Sequence, residues 1–196
     1  EAVQELERRK QAESRQQRDE AIAANSEQLF SDPASPVVGD PEGDVTVVEF
    51  FDYNCGYCRR MTEDIFELVE DDGDIRFVLK ELPIFGEGSR FAAKAALAAD
   101  RQGLYGEFHY ALMTAGVTID QASTMAIAAE VGLDLAQLEE DMLDPAIDAQ
   151  LDANYRLARA LGVEGTPATV IGETFLPGAR GYDELAALVA KARAAQ

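Results

Sequence analysis

Two cysteines one helical turn apart are the residues of this sequence with the clearest capacity for chemistry. Cys55 and Cys58 are the only cysteines in the 196 residues, and Gly56 and Tyr57 separate them. They follow an apolar, β-branched run at 45–51 and open a segment with helical periodicity. Because the first turn of a helix presents free N–H groups and the positive end of the dipole, it stabilises a thiolate. We therefore predict that Cys55 is a nucleophile with a lowered pKa and that Cys58 resolves the mixed disulfide.

Metal binding is the main alternative use of these cysteines. A structural zinc site needs about four ligands, whereas the chain supplies two cysteines and one histidine, His109, which we interpret as a packed or surface residue. A purely structural disulfide would close a very short loop and add little stability. Thiolates and a thioether suit Cu(I), so Cys55 and Cys58 are a candidate Cu(I) pair, with Met61 following at the same spacing. We interpret Met61 as a core residue, and we expect no other cofactor.

A carboxylate and a Thr-Pro pair are the other informative residues. Glu49 interrupts the apolar run at 45–51, and burial raises the pKa of a carboxyl group. We predict that Glu49 accepts or donates the proton of Cys58 through water; the alternative is a solvent-facing position at a strand edge, which its apolar neighbours disfavour. Thr166 and Pro167 precede a predicted strand. On base rates about 5–6% of X–Pro bonds are cis, which predicts a trans bond here.

Residues 1–24 form a polar segment that predicts a helix. They are rich in Glu, Gln, Arg and Ala and contain no Gly or Pro. Val3 and Leu6 lie near one end and Ile22 at the other, so the helix cannot pack along its whole length. Two interpretations stay open: a solvated arm, or an oligomerisation helix in which Val3 and Leu6 meet symmetry mates, although a clean heptad is absent. Residues 25–44 contain several prolines and glycines and are predicted to be turns and linker.

The remaining elements predict an α/β fold. Apolar strands at 45–51 and 75–79 flank a helix at 56–69, an order that is typical of a parallel βαβ unit. A helical block without strand character follows, and two short strands and a final helix close the chain. This order predicts an α/β sheet interrupted by an inserted all-helical subdomain. The helices of the block are predicted at 91–99, 104–113, 121–131, 135–142 and 145–161, with N-caps at Asp120, Asp134 and Asp144, and the closing elements at 168–171, 174–176 and 182–193.

The charge balance excludes some classes of partner. The chain carries 17 basic and 37 acidic residues, a formal net charge of −20. An excess of this size argues against nucleic acid or an anionic membrane surface as a partner, and it disfavours acidic client proteins. No apolar run reaches the roughly 18 residues of a transmembrane helix. The chain begins at Glu1 without an apolar leader, which we expect of a mature or trimmed chain.

Two segments, with the helical block between them, resemble the DsbA family of thioredoxin-fold thiol–disulfide oxidoreductases. The segments are VVEFFDYNCGYC at 47–58 and GVEGTPATVIG at 162–172. The resemblance implies a thioredoxin fold, a periplasmic location and a buried acid at Glu49. It also implies that Pro167 is a cis-proline facing Cys55. It divides the chain into a helical arm at 1–28, a linker leading into the core at 29–44, a first core part at 45–85, inserted helices at 86–162 and a second core part at 163–196.

Within the family, the active-site residues favour an isomerase over an oxidase. Strongly oxidising members typically carry Pro-His between the cysteines and Val before the cis-proline, whereas this chain has Gly56-Tyr57 and Thr166. That pairing is similar to the periplasmic isomerase DsbC. The arm together with residues 31–58 is most similar to the ScsC and Com1-like branch. In this branch N-terminal extensions can form trimers with isomerase activity, and copper tolerance is an associated theme.

The resemblance also implies partners. Misfolded or wrongly disulfide-bonded secreted proteins are the expected substrates. A membrane reductase similar to ScsB or DsbD keeps an isomerase in the dithiol form, whereas a protein similar to DsbB reoxidises an oxidase. We expect a homo-oligomer, a trimer, through residues 1–24. The alternatives are a monomeric DsbA-like oxidase and a Cu(I)-binding copper-tolerance protein that uses Cys55 and Cys58.

Overall fold

The computed structural model describes residues 2–196, so Glu1 of the predicted arm lies outside the described residues. Helices and strands follow one another as the sequence predicts from β2 onward. The helices are α1 (Ala2–Ala24), α2 (Ser26–Phe30), α3 (Gly56–Asp72), α4 (Glu87–Asp100), α5 (Tyr105–Thr114), α6 (Gln121–Val131), α7 (Leu135–Asp141), α8 (Pro145–Ala160) and α9 (Tyr182–Ala194). The strands are β1 (Val37–Gly39), β2 (Val45–Phe51), β3 (Ile75–Glu81), β4 (Ala168–Ile171) and β5 (Thr174–Pro177).

The described strands form one sheet in the order β1-β3-β2-β4-β5. β2 pairs in parallel with β3, and Val48 lies opposite Val78. The other pairs are antiparallel, and Val48 lies opposite Val170 on β4. The predicted βαβ unit is confirmed. β2 is central and buried on both faces, which explains its near-continuous apolar sequence.

Each face of the sheet packs against helices. On one face, Val47 and Phe51 contact a large core that includes α3, α9 and the apolar residues of α4, α5 and α6. On the other face, Val48 and Phe50 pack with Leu29 of α2 and Leu157 of α8. The helical block is therefore joined to the thioredoxin-like core through a continuous apolar interior, and the predicted fold class is confirmed.

Three helices of the inserted block begin at the predicted N-cap residues. The carboxylates of Asp120, Asp134 and Asp144 accept hydrogen bonds from the backbone N–H of Ser123 at 2.8 Å, Gln137 at 3.0 Å and Ala146 at 2.8 Å. Each bond satisfies an N–H group that lacks an intrahelical partner. α4 begins at Glu87, four residues before the predicted start at 91. The prediction missed this first turn because the turn is polar and shows no apolar periodicity.

The segment predicted as linker, residues 25–44, is ordered as α2 and β1. Leu29 is fully buried between the sheet and α8, and β1 adds an antiparallel edge strand to β3. The buried amine of Lys80 on β3 fixes the segment, because it donates to the carbonyl oxygen of Gln28 at 2.6 Å and to the hydroxyl of Ser35 at 2.7 Å. A buried ammonium needs such partners. The prediction of turns and linker was therefore wrong at α2 and β1, while residues 31–36 and 40–44 form turns and loops. One apolar anchor and a three-residue edge strand are too short to show periodicity.

α1 extends away from the core for most of its length. The side chains of Val3 and Leu6 are 68% and 54% exposed. Only the last turns of α1 dock. Ile22 is buried in the core, and Arg18 lies over the ring of Phe175 at 4.2 Å. The prediction that this helix does not pack along its whole length is confirmed. Within residues 2–196 no helix combines the length and the apolar character needed to cross a membrane.

Candidate active site

The two cysteines lie where the central strand passes into a helix. β2 ends at Phe51, and Cys55 is the N-cap residue of α3. The sulfur of Cys55 accepts a hydrogen bond from the backbone N–H of Cys58 at 3.4 Å, the bond that an N-cap side chain normally makes. Both thiols are free; Cys55 is 3% exposed and Cys58 is fully buried. The more accessible sulfur therefore lies at the positive end of the helix.

The environment separates the acidities of the two thiols. A hydrogen bond from the Cys58 thiol is the largest influence that lowers the pKa of Cys55 to about 6, against the opposing effect of burial. The Thr166 side chain and the backbone N–H groups of Tyr57 and Cys58 lower it further. Burial, the same thiol–thiol bond and the charge of Glu49 raise the pKa of Cys58 far above its usual range. At neutral pH this arrangement gives a Cys55 thiolate beside a Cys58 thiol.

The loop before β4, which contains Thr166 and Pro167, brings Thr166 against Cys55. In its thiol form, the Cys55 sulfur donates to the carbonyl oxygen of Thr166 at 3.2 Å. The Thr166–Pro167 peptide bond is cis. The base-rate expectation of a trans bond was therefore wrong, and the resemblance to the DsbA family gave the right isomer, since no local physical signal in the sequence favours it.

Glu49 is buried beneath the active site. It is 4% exposed and lies on β2 between Leu79 of β3 and Thr169 of β4. Burial and the nearby charge of Cys55 raise the pKa of Glu49 to about 8. The alternative of a solvent-facing position at a sheet edge was therefore excluded, while the role of Glu49 in proton transfer stays a prediction.

Thr169 and Asp52 support the site and were missed by sequence reasoning. Thr169 is fully buried directly across from Glu49, and a threonine within the apolar segment 168–171 was the available signal. The Asp52 carboxylate accepts from the backbone N–H of Ile84 at 2.7 Å and of Phe85 at 2.9 Å. The backbone oxygen of Asp52 accepts from the N–H of Cys55 at 3.1 Å. Asp52 thus ties the turn before Cys55 to the loop after β3.

Gly56 and Tyr57 form the exposed surface between the cysteines. A Cβ atom added at Gly56 would meet no atom within 4 Å, so sterics do not require glycine there. The Tyr57 side chain is 60% exposed, and the guanidinium of Arg60 lies 4.3 Å from the centre of its ring. Tyr57 itself brings no positive charge to the Cys55 sulfur.

The remaining metal candidates do not join the cysteines. Met61 is buried, and its sulfur accepts from the backbone N–H of Arg180 at 3.4 Å, so its interpretation as a core residue is confirmed. His109 is buried against Tyr53, and burial lowers the pKa of its ring to about 3, which makes it a packed residue. Among residues 2–196 no group of three or more His, Cys, Asp or Glu side chains could hold a metal ion. Binding of Cu(I) by the two thiolates alone stays a prediction.

A family model and solved structures give matches that agree with one another. The model of the family described as DSBA-like thioredoxin domain matches residues 46–190. A solved thioredoxin-like oxidoreductase from Silicibacter pomeroyi DSS-3 is 48% identical, with a TM-score of 0.84, over 87% of this chain and 98% of that one. A linker-deletion mutant of ScsC from Proteus mirabilis is 32% identical, with a TM-score of 0.90, over 99% of this chain and 90% of that one.

Curated relatives with a different name also match. The Na(+)/H(+) antiporter NhaA 1 of Salinispora arenicola is 31% identical over 158 residues, which are 80% of this chain and 24% of the antiporter. The chain spans about a quarter of the length of the first curated relatives that it matches. Since the family model covers more than half of the chain and the solved relatives share its fold, this chain belongs to the DSBA-like thioredoxin domain family.

Proposed function

We propose that this protein is a thiol–disulfide oxidoreductase that works as a disulfide isomerase or reductase on misfolded secreted proteins in the bacterial periplasm. One observation carries the proposal: the Cys55 sulfur, with a pKa of about 6, lies beside the buried Cys58 thiol and 3.2 Å from the carbonyl oxygen of Thr166. A thiolate that exists at neutral pH is the attacking species in disulfide exchange.

The exchange begins when the Cys55 thiolate attacks one sulfur of a client disulfide. A Cys55–client disulfide forms and a client thiolate leaves. In isomerisation, a client thiolate attacks the client sulfur of the Cys55–client disulfide, directly or after exchange with another client disulfide. A new client disulfide forms, and Cys55 leaves as a thiolate without net redox change. In reduction, Cys58 loses its proton and attacks Cys55. The client then leaves as a dithiol that has gained two electrons, and the protein, which has lost them, keeps a Cys55–Cys58 disulfide.

Glu49 is suited to accept the proton of Cys58 in the second case. Burial is the main cause of its raised pKa of about 8, and the charge of Cys55 adds to it. When Cys55 enters the mixed disulfide, that charge disappears, so the pKa of Glu49 falls. The carboxylate therefore becomes available as a base at the step in which Cys58 must ionise.

The preference for isomerase or reductase over oxidase rests on the residues around the thiolate and on the arm. Tyr57 holds no charge next to Cys55, whereas a cation there would stabilise the thiolate and make the disulfide more oxidising. α1 exposes Val3 and Leu6 at its free end, as an oligomerisation helix requires. Similarity to the Proteus mirabilis ScsC mutant extends over 99% of the chain, which includes the arm.

These features support a trimer whose active sites act on one client, kept reduced by a membrane reductase similar to ScsB or DsbD. The competing function is a monomeric DsbA-like oxidase that is reoxidised by a protein similar to DsbB. The two differ in oligomeric state and in the redox form that works. Both use Cys55 as the nucleophile, so a single Cys55 variant does not separate them.

Light scattering of the full chain, paired with ribonuclease assays on the same sample, tests the proposal. A closed oligomer whose reduced form restores activity to scrambled ribonuclease supports it, with Cys55→Ser as the inactive control. A monomer whose oxidised form reactivates reduced ribonuclease, but whose reduced form cannot unscramble it, supports the oxidase instead. Failure in both assays would overturn thiol–disulfide exchange itself.

A further inference from the structure

A groove of about 770 Å³ runs beside the loop that holds Thr166 and Pro167. Its size lies within the range of roughly 300–1,000 Å³ that is typical of binding clefts. The Thr166 carbonyl oxygen, 3.2 Å from the Cys55 sulfur, belongs to a residue in its wall. A client cysteine that reacts with Cys55 therefore lies at the edge of this groove, and the residues next to that cysteine extend into it.

Three arginines from separate elements line the groove, in a protein of net charge −20. Arg18 comes from α1, Arg60 from α3, and Arg180 from the segment before α9. The Arg180 guanidinium pairs with Glu184 at 2.9 Å, so part of its charge is neutralised. Glu164 also lines the groove. The positive charge of the groove therefore comes chiefly from Arg18 and Arg60.

Aromatic rings hold Arg18 and Arg60 in place. The Arg18 guanidinium lies over Phe175 at 4.2 Å, and its Nε donates to the carbonyl oxygen of Leu161 at 3.3 Å. The Arg60 guanidinium lies over Tyr57 at 4.3 Å. Among residues 2–196, neither guanidinium has a carboxylate within 4.0 Å. A ring covers one face of each guanidinium, and within the described residues only the Nε of Arg18 is engaged in a hydrogen bond, so the two terminal Nη groups of each arginine can bind a carboxylate through two hydrogen bonds.

We propose that this groove binds acidic segments of client proteins, with Asp or Glu side chains near the reacting cysteine paired to Arg18 and Arg60. The inference rests on the proposed thiol–disulfide exchange and names a class of client for it. The expectation from the net charge of −20, that acidic clients are disfavoured, then does not hold at this groove, where Arg18 and Arg60 supply positive charge. The proposal also gives the arm a second part in function, since Arg18 belongs to α1.

Two matched peptides test the proposal. Each carries one cysteine as a mixed disulfide with 2-mercaptoethanol, flanked on both sides by Glu in one peptide and by Gln in the other. The Cys55 thiolate attacks the peptide sulfur, and 2-mercaptoethanol leaves as its thiolate. Cys58 then attacks Cys55 and releases the peptide thiol, which leaves a Cys55–Cys58 disulfide in the protein. The rates of thiol release are divided by those with dithiothreitol, which removes the intrinsic difference between the peptides. We expect the Glu peptide to react about tenfold faster at low salt, as two partly exposed ion pairs allow.

Arginine variants and high salt test whether the preference for the Glu peptide comes from charge in the groove. In the double variant Arg18→Gln/Arg60→Gln the ratio of the two rates is expected to fall close to one, whereas Arg156→Gln, an exposed arginine outside the groove, keeps it. In 1 M salt, where the screening length is only about 3 Å, the wild-type ratio also falls. Equal rates for the two peptides with wild-type protein, or an unchanged ratio in the double variant, would overturn the proposal.

Reaction with bis(2-hydroxyethyl) disulfide, which is uncharged, separates this inference from the proposed function. If wild-type protein does not react with it, thiol–disulfide exchange fails and the groove loses its role. If wild-type protein reacts with it but does not distinguish the peptides, only the assignment of acidic segments to the groove fails.

Discussion

The sulfur of Cys55 lies 3.2 Å from the carbonyl oxygen of Thr166, a residue 111 positions later in the chain. The whole helical block is inserted between these two residues, yet the sheet returns β4 to the side of β2 and places the loop against the first turn of α3. The nucleophile and the Thr166–Pro167 loop are therefore brought together by strand pairing in the sheet rather than by closeness in the chain.

The pKa of Cys55 is the first measurable consequence of this geometry. Because the Cys58 thiol is the largest influence that lowers it to about 6, the pH of half-maximal alkylation of the reduced protein is expected near that value. In Cys58→Ala the midpoint is expected to move up by one unit or more, about 1.4 kcal/mol for each unit. Iodoacetamide modification followed by mass spectrometry gives both curves, with Cys55→Ser as the unreactive control. Equal midpoints in the two proteins would contradict the assigned cause.

Glu49→Gln tests the buried carboxyl in two ways. The variant is expected to slow the step in which Cys58 attacks the mixed disulfide, by roughly 10²-fold or more, and to remove an ionisation from the pH profile of that step. Formation of the mixed disulfide by Cys55 depends less on Glu49. Rapid-quench kinetics with a peptide disulfide separate the two steps. A resolving rate that keeps its size and its pH profile in the variant would exclude the proton-transfer role.

The raised pKa of Glu49 also makes the stability of the folded protein depend on pH. The pKa of Glu49 is raised from 4.5 to about 8, so between these values the folded protein holds a proton that the unfolded chain has released. Stability therefore falls as pH rises through this window. Glu49→Gln is expected to be more stable than the wild type at pH 9 by a few kcal/mol, with little difference near pH 4. Urea unfolding of the reduced proteins at both pH values measures this, and a pH-independent difference would speak against it.

Tyr57→His should make the active site more oxidising. A histidine in this exposed position adds positive charge beside the Cys55 thiolate, which stabilises the reduced form. The reduction potential is expected to rise by about 30 mV for each unit by which the pKa of Cys55 falls. Equilibration with glutathione measures the potential, and Tyr57→Phe is the uncharged control. A potential that stays the same or falls in Tyr57→His would refute the electrostatic argument.

Local patterns in the sequence were sufficient for much of the fold. The bounds of β2, α6 and β4 agree with the predicted ranges, because each is a largely apolar segment bounded by a clear cap or turn. The position of Cys55 at the start of α3 followed from the same signals. In contrast, β1 has three residues and no pattern of its own, and it forms because β3 offers an open edge.

The rest of the site depends on contacts between distant parts of the chain. Nothing near Arg18 in the sequence indicates Phe175, and nothing near Asp52 indicates the N–H groups of Ile84 and Phe85. Charged side chains of this kind look like solvated surface in the sequence. Their roles emerge only when the fold brings an aromatic ring or a pair of free N–H groups to them.

The structure shows where the arm, residues 1–24, must be cut if its role in oligomerisation is to be tested. Removal of residues 1–24 would delete Ile22, which is buried against the sheet, and Arg18, which lines the groove. A loss of activity in that truncation would thus have several causes. Removal of residues 1–16 keeps both contacts and deletes only the exposed part of α1.

For this shorter truncation we expect loss of the oligomer with a folded thioredoxin core, seen by light scattering and circular dichroism. The full-length variant Val3→Asp/Leu6→Asp is expected to give the same result, because charges at two exposed apolar positions cannot pack against symmetry mates. Arg8→Gln, a substitution on the same exposed stretch, is the control that keeps the oligomer. If both altered proteins lose ribonuclease unscrambling but still react with a small disulfide, isomerisation requires the assembled arms. If the full chain is already monomeric at assay concentrations, the oligomerisation hypothesis fails. Val3 and Leu6 are then surface residues of a solvated helix that contacts the core only through the turn around Arg18 and Ile22.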